Sequence, residues 1–418
     1  MPLRDLIAVL FSIFLLAAGN YKSQKMWPLT LAASFSIALL GSKPFSFVFL
    51  WDYFLGFEEF FLRFLPLYLA SALFSATLEQ SGAIDGFISW LLFRFGRRHS
   101  LLCLGFFSFL MILGGLKPAF LIFTLYPFFK LLSERTGLPP ALFPACLLGY
   151  LTPAQMLPGT TQLQNLLPTA ALQISGLAAP TPGILSCLFT LFLVAYYLTR
   201  KTRPFLLHPV DKSRPFYSSV SFLPMLAVIF ILLLSVNFLP VPTVISIFLC
   251  CGGLLLFYPP QKGVASLIGI SLIRARIVFL PAALAGFAAV LQTSASLSSF
   301  LVFLQKNSGG NPLVFAFLTG ALFAALLGSS SGALSFALKV LQPFSQFGAS
   351  APFIGRFLSL GTLTFDTLPQ NSVIALSVKH CQTTYRESYP PLFVVTVLCP
   401  FLAGCLSLLI HLAFETFP

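Results

Sequence analysis

Two polar interruptions in an otherwise apolar chain limit what it can fold into. Leu148-Gly149-Tyr150-Leu151-Thr152-Pro153-Ala154-Gln155-Met156-Leu157-Pro158 returns, one residue shorter, as Leu360-Gly361-Thr362-Leu363-Thr364-Phe365-Asp366-Thr367-Leu368-Pro369. Backbone in hydrocarbon must satisfy its own hydrogen bonds, so a helix broken at membrane depth survives only where protein or a wet cavity surrounds it. One such break in each half is the sequence sign of a secondary-transporter binding site. The setting is apolar enough for that logic to apply: 57% of residues are hydrophobic, 8% are charged and 49 are Phe. A soluble chain of 418 residues needs far more charge to cover its surface.

A helix needs about 20 apolar residues to cross a bilayer. The hydrophobic runs predict about ten to twelve helices, re-entrant pieces included. Thirteen apolar runs, some of half length, lie at 5–19, 27–41, 44–57, 60–80, 100–116, 118–133, 183–199, 217–238, 241–257, 263–281, 282–304, 312–328 and 390–413. The run after Arg4 resembles a signal-peptide core, but a second run follows at Trp27, so an uncleaved first helix is expected. Between Thr199 and Ser218 the composition turns to Arg, Lys, Pro, His and Asp. The chain is therefore read as a first membrane repeat (1–199), a basic cytoplasmic linker (200–216) and a second membrane repeat (217–418).

The net charge of +13 does not imply nucleic acid, because the 24 Lys and Arg are scattered at helix ends. Positive-inside orientation and anionic lipid account for them. Arg94, Arg97 and Arg98, and Arg200, Lys201, Arg203, Lys212 and Arg214, read as cytoplasmic loops of a multi-pass protein of the cell (inner) membrane. The eight Cys show no CxxC spacing and read as small buried hydrophobes. Glu79 and Asp85 mark a helix end near Gly82, and no role falls to the four His.

The chemistry concentrates in three stretches. From Thr152 to Asn165 the chain carries hydroxyls, amides, two prolines and a glycine but no charge, which is unusual for a water-exposed loop. Prolines break the helix and free carbonyls, Gly159 permits positive φ, and half-helix N–H groups suit a carboxylate. Ser329, Ser330 and Ser331, between Gly328 and Gly332, suit either an anion-binding hairpin tip or close helix packing. In the first half, Gly114-Gly115-Leu116-Lys117-Pro118 occupies the corresponding place. Asp366 is an ionisable group in an apolar body, where insertion costs roughly 3 kcal/mol. It suits a cavity, a cation or a proton route, or a helix N-cap. Lys117 and Arg356 are candidates to pair with a carboxylate or with Asp366, or to snorkel to the interface.

Residues 310–338, with Gly328-Ser-Ser-Ser-Gly-Ala333, and residues 356–393, with Asp366-Thr-Leu-Pro-Gln-Asn371 and Thr384-Tyr-Arg-Glu-Ser-Tyr389, resemble the gluconate permease family of gluconate:proton symporters. In the first half, Leu157-Pro-Gly-Thr-Thr-Gln-Leu-Gln-Asn-Leu-Leu-Pro-Thr169 is similar to a form found in one branch of that family. The resemblance implies an all-α polytopic fold of the ion-transporter superfamily. That fold has two inverted repeats, with re-entrant hairpins and a broken helix in each half, and implies a homo-oligomer. It implies uptake of a small hydroxy-carboxylate with protons.

The expected substrate ligands are Thr152, Gln155, Pro158, Gly159, Thr160, Thr161, Gln162 and Asn165 from the first half. From the second come Ser329, Ser330, Ser331, Gly332, Thr364, Thr367, Pro369, Gln370 and Asn371, with Asp366 for ion coupling. No cofactor and no metal are expected. Where the family has His in the second motif this chain has Gln370, and its first-half motif lacks His as well, which leaves proton or sodium coupling open. A membrane-embedded enzyme needs a carboxylate cluster or a His/Asp pair, which eleven scattered acids do not supply. A structural or sensory protein does not require polar breaks in both halves, and a passive channel lacks charge rings.

Overall fold

A computed structural model describes residues 3–22, 25–41, 46–206, 220–239, 241–260, 263–293, 311–340 and 351–416, and every regular element among them is helical. In chain order these are α1 (Leu3–Tyr21), α2 (Met26–Leu40), α3 (Val48–Ser81), α4 (Ala83–Leu113), α5 (Pro118–Thr136), α6 (Phe143–Met156), α7 (Leu163–Leu172), α8 (Pro180–Leu206) and α9 (Leu223–Phe238). They continue with α10 (Thr243–Phe257), α11 (Gly263–Ala275), α12 (Phe279–Gln292), α13 (Pro312–Leu327), α14 (Ser330–Val340), α15 (Ala351–Thr362), α16 (Ser372–His380), α17 (Tyr385–Phe393) and α18 (Cys399–Thr416). A π-helical turn, Val394–Leu398, joins the last two.

Among the described residues, six helical stretches are long and apolar enough to cross a membrane, and four shorter apolar helices accompany them. The chain is an all-α polytopic membrane protein. Its phenylalanines have two destinations. Phe120, Phe123, Phe128 and Phe129 of α5 and Phe143 of α6 are fully buried, while Phe93, Phe192, Phe230 and Phe238 are exposed on helices that face lipid in a membrane.

α3 packs against α5, α10, α11 and α12, with α1 on α2, α2 on α12 and α9 on α10. α12 also packs on α16, while α13 packs on α15, α4 on α6 and α8 on α18. The two closest crossings share a logic of small residues. Gly105 of α4 lies under the Tyr150 ring of α6, and Gly320 of α13 lies against Gly361 of α15. The repeated Leu-Gly of the sequence motif is thus a packing device, since Gly149 is likewise pressed against Val395 and Val194.

The observed helices differ from the hydrophobic runs in instructive places. Runs 44–57 and 60–80 form one 34-residue helix, α3, about 51 Å long at 1.5 Å per residue. The gap between the two runs is Glu58 and Glu59, and Glu is a good helix former whose side chains here are both exposed. The arginines expected in a loop, Arg94, Arg97 and Arg98, lie within α4, where Gly96 (φ +69°, ψ 174°) kinks the helix. Arg97 donates to Thr136 O at the end of α5. Glu79 and Asp85 do flank a helix end, with Gly82 at φ +69°, and each is paired: Arg274–Glu79 at 2.6 Å and Arg135–Asp85 at 2.8 Å. The expected linker 200–216 begins as the last turns of α8, and its remainder, with His208, Lys212 and Arg214, lies outside the described residues. The same holds for residues 294–304 of an expected helix.

Candidate functional site

Both polar motifs are breaks between half-helices, and local chemistry explains each. In the first, α6 ends at Met156 and Leu157 is extended (φ −66°, ψ 131°), as the residue before a proline prefers. Gly159 then turns at φ +77°, and α7 starts after Gln162. In the second, α15 ends at Thr362 and α16 starts at Ser372, with Asn371 as its N-cap: Asn371 Oδ1 accepts from Val373 N at 2.7 Å and Ile374 N at 3.0 Å. The helix cap is therefore Asn371 and not Asp366.

One asparagine ties each break together. Asn165 Nδ2 donates to Leu157 O (2.8 Å) and Thr160 Oγ1 (2.5 Å), and Asn371 Nδ2 donates to Asp366 O (2.7 Å) and Gly328 O (3.0 Å). Each break is also bound to the tip of the hairpin preceding it. Gln162 Nε2 donates to Ile112 O at 2.8 Å beside the Gly114-Gly115 tip, and Gln370 Nε2 donates to Ala325 O at 2.6 Å beside the Gly328-Ser329 tip. The second half-helix of each motif then crosses to the other half of the molecule: α7 packs on α14 and α15, and α16 on α5 and α6. Gln164 carries that exchange to side chains, donating to Ser330 Oγ at 2.7 Å and accepting from Ser359 Oγ through its carbonyl.

At the centre of this exchange is a cavity of about 140 Å³, lined by Thr152 and Gln155 of α6, Gln162 and Gln164, Ser329–Ser331, Asp366, Thr367, Asn371 and Lys117. Its geometry is defined by helix starts. The first residues of α5, α7, α14 and α16 all lie in its wall. Each N-terminus carries about half a positive charge, though at α16 the Val373 and Ile374 N–H groups are taken by Asn371 Oδ1 and at α14 Gly332 N is taken by Ser329 Oγ. With the Lys117 ammonium, the wall strongly favours an anion. Against that field stands one carboxyl. Asp366 is only 9% exposed, the Ser330 hydroxyl faces it, and its Oδ1 is buried with no hydrogen-bond partner. Thr367 is held by the π-helical turn, donating to Thr396 Oγ1 at 2.8 Å, while Tyr389 Oη donates to Thr367 O at 3.3 Å. Among the described residues no cluster of three or more His, Cys, Asp or Glu is placed to hold a metal.

Of the expected site residues, the cavity gathers Thr152, Gln155, Gln162, Ser329, Ser330, Ser331, Asp366, Thr367 and Asn371. The others stand elsewhere. Pro158, Gly159 and Thr160 shape the first turn, where Gly159 N donates to Gly176 O. Thr161 is exposed, near the Gly115 tip. Thr364 Oγ1 donates back to Gly361 O, and the Pro369 carbonyl accepts from Asn20 Nδ2 of α1 at 2.7 Å. Gly332 and Gln370 line a neighbouring cavity. Sequence reasoning missed Gln164, Tyr389 and Thr396; Gln164 was in view as part of the uncharged stretch.

Arg356 is neither paired with Asp366 nor at an interface. It is buried (8% exposed) in α15 and donates to Asn165 Oδ1 at 2.5 Å, Ala178 O at 3.1 Å and Gly176 O at 3.4 Å. All three acceptors are neutral oxygens, so the guanidinium is a buried clamp between the first turn of α7 and the loop that follows α7. Arg356→Met is expected to strand those acceptors and lower stability by about 3 kcal/mol. Thermal unfolding of the purified variant checks this, and an unchanged melting temperature removes the clamp.

Fold and site together define a multi-pass α-helical membrane protein with a buried polar cavity between two broken helices. No protein-family model matches the chain. It is 22% identical over 402 residues to the uncharacterized transporter YxjC of Bacillus subtilis (strain 168), spanning 81% of this chain and 84% of that one. Among solved structures it is similar to the Alcanivorax borkumensis YdaH transporter, at 17% identity and a TM-score of 0.41, over 95% of this chain and 97% of that one.

Proposed function

We propose that the chain is a secondary active transporter of a small organic anion, with a hydroxy-carboxylate such as gluconate as the substrate class and a proton as the coupling ion. The observation that carries this reading is the meeting of four helix N-termini and Lys117 on one cavity that also holds Asp366. The name of the Bacillus subtilis relative, a transporter, supports it, as does the motif resemblance to gluconate:proton symporters.

In this reading a substrate carboxylate is drawn by the positive ends of α5, α7, α14 and α16 and by the Lys117 ammonium. Thr152, Gln155 and the serine hydroxyls supply further donors. Asp366 answers the charge problem of a loaded site. An ionised carboxyl beside a bound carboxylate repels it, whereas a protonated one can donate to it, so anion and proton enter together. Alternating access follows when one part of the molecule moves against another. Sodium is the alternative coupling ion, held by hydroxyls and carbonyls near Asp366.

The test is uptake of radiolabelled gluconate into liposomes reconstituted with the purified chain. Accumulation is expected when the outside is more acidic than the inside and is expected to vanish when an ionophore collapses that gradient. Accumulation driven only by inward sodium moves the coupling to sodium. No uptake of any hydroxy-carboxylate under either gradient sinks the anion reading.

A further inference from the structure

Gln164 lies in the first turn of α7, yet its side chain does not serve the break that α7 belongs to. Its carbonyl accepts from Ser359 Oγ of α15, which pins the start of α7. Its amide nitrogen reaches the second half of the chain at Ser330 Oγ, 2.7 Å away, and both side chains are buried. An amide nitrogen can only donate, so the Ser330 oxygen is the acceptor in this pair and its hydroxyl hydrogen is left over. The group that the Ser330 hydroxyl faces is the Asp366 carboxyl. Gln164, Ser330 and Asp366 therefore form a row drawn from three segments: the first break, the second hairpin and the second break. An N–H on one side of a hydroxyl oxygen polarises the O–H on the other, so the row strengthens toward the acid.

Such a row favours one charge state, because a hydroxyl that donates supports an ionised carboxylate. The other groups around Asp366 are few. Among the described residues, Lys117 at the start of α5 is the charged group that shares its wall, with Arg63 of α3 close enough to act on Lys117. Thr152 and Gln155 of α6, Gln164 of α7 and the serines at the start of α14 are uncharged. α14 keeps Lys339 at its far end, and α16 likewise keeps Lys379 and His380. Arg356 of α15 is committed to Asn165, and Tyr389 of α17 to Thr367 O.

We propose that Gln164 is a positioning residue for the coupling acid: from the first break it holds the Ser330 hydroxyl as a donor to Asp366, so ionised Asp366 is best supported while the two halves touch. The contact that a transporter has to make and break is thereby tied to the release and uptake of a proton. When α7 withdraws from the hairpin tip, Ser330 loses its donor and the carboxyl takes up a proton more readily. This rests on the reading of Asp366 as the proton carrier.

The experiment titrates Asp366 directly, by infrared spectroscopy of the purified full-length chain, following the carboxylic C=O band that Asp366→Asn removes. Ser330→Ala is expected to move the midpoint of that band up by about one pH unit. Gln164→Met keeps the length of the side chain without a donor, and is expected to move the midpoint the same way by a smaller step. The double variant is expected to match Ser330→Ala alone, because Gln164 acts only through the hydroxyl. A side chain that merely props the fold lowers the melting temperature without moving this midpoint. Ser330→Ala deletes one atom, and so tests the row independently of how Gln164→Met folds. An unmoved midpoint in either folded single variant, or a further shift in the double variant, overturns the positioning role. If Asp366→Asn removes no titrating band, the proton role of Asp366 falls with it. Uptake is not part of the measurement, so a row that holds in a chain carrying no hydroxy-carboxylate sinks the anion reading alone.

Discussion

Replacing Asp366 by Asn is expected to abolish accumulation of gluconate in proteoliposomes while leaving exchange of labelled for unlabelled gluconate across the same membrane. Asn keeps the size and polarity of the side chain but neither ionises nor carries a proton. The fold has little reason to object. Asp366 is not the cap of α16, and its Oδ1 has no partner to lose. Removing a buried ionisable group also spares the cost of placing it at membrane depth. Membrane insertion and melting temperature should therefore match or exceed the wild type, while gradient-driven uptake falls at least about tenfold, to the level of empty vesicles. The split between exchange and accumulation is what a merely structural role does not produce. Equal concentrative uptake by the variant would remove Asp366 from the mechanism.

The second large effect concerns packing. A Cβ at Gly361 would lie 2.1 Å from Phe317 O, and one at Gly320 would lie 2.3 Å from Leu358 O. The obstacles are backbone atoms, so no rotamer change relieves them, and α13 and α15 have to separate. Gly361→Ala is expected to cost about 3 kcal/mol, at the upper end for overpacking, and to displace the segment that carries Thr364, Asp366 and Thr367. Gly252→Ala in α10 is the matched control, because nothing lies within 4 Å of its added methyl. Size-exclusion profiles and melting curves in detergent read the difference. Equal melting temperatures for Gly361→Ala and Gly252→Ala would show that the close crossing does not set this pair of helices.

Much of this arrangement was legible in the amino-acid order. The absence of charge from Thr152 to Asn165, and the return of the motif around Asp366, point to the two segments that meet at the cavity. What composition cannot separate is the residues that break a helix from those that face the space the break creates. Pro158, Gly159, Thr160, Thr364 and Pro369 are polar or helix-breaking and so resemble ligands, yet their bonds close turns or tie the break to α1. Thr396 was invisible for the opposite reason. It lies in an apolar run, and only the π-helical turn, which changes which residues share a face, brings its hydroxyl to Thr367. Arg356 illustrates a third limit: a lone arginine near a helix start suggests an interface, and its burial depends on Asn165, from a distant part of the chain, supplying an acceptor.

The Arg356 clamp also makes the two breaks mechanically unequal. To re-form the first, the protein has to strip a buried guanidinium of Asn165, Gly176 and Ala178 at once. The second is held by neutral amides, those of Asn20, Gln370 and Asn371, each of which can trade one carbonyl for another at modest cost. Behind the likeness of its two breaks the molecule has one riveted jaw and one that is only latched, and the latched one carries the acid.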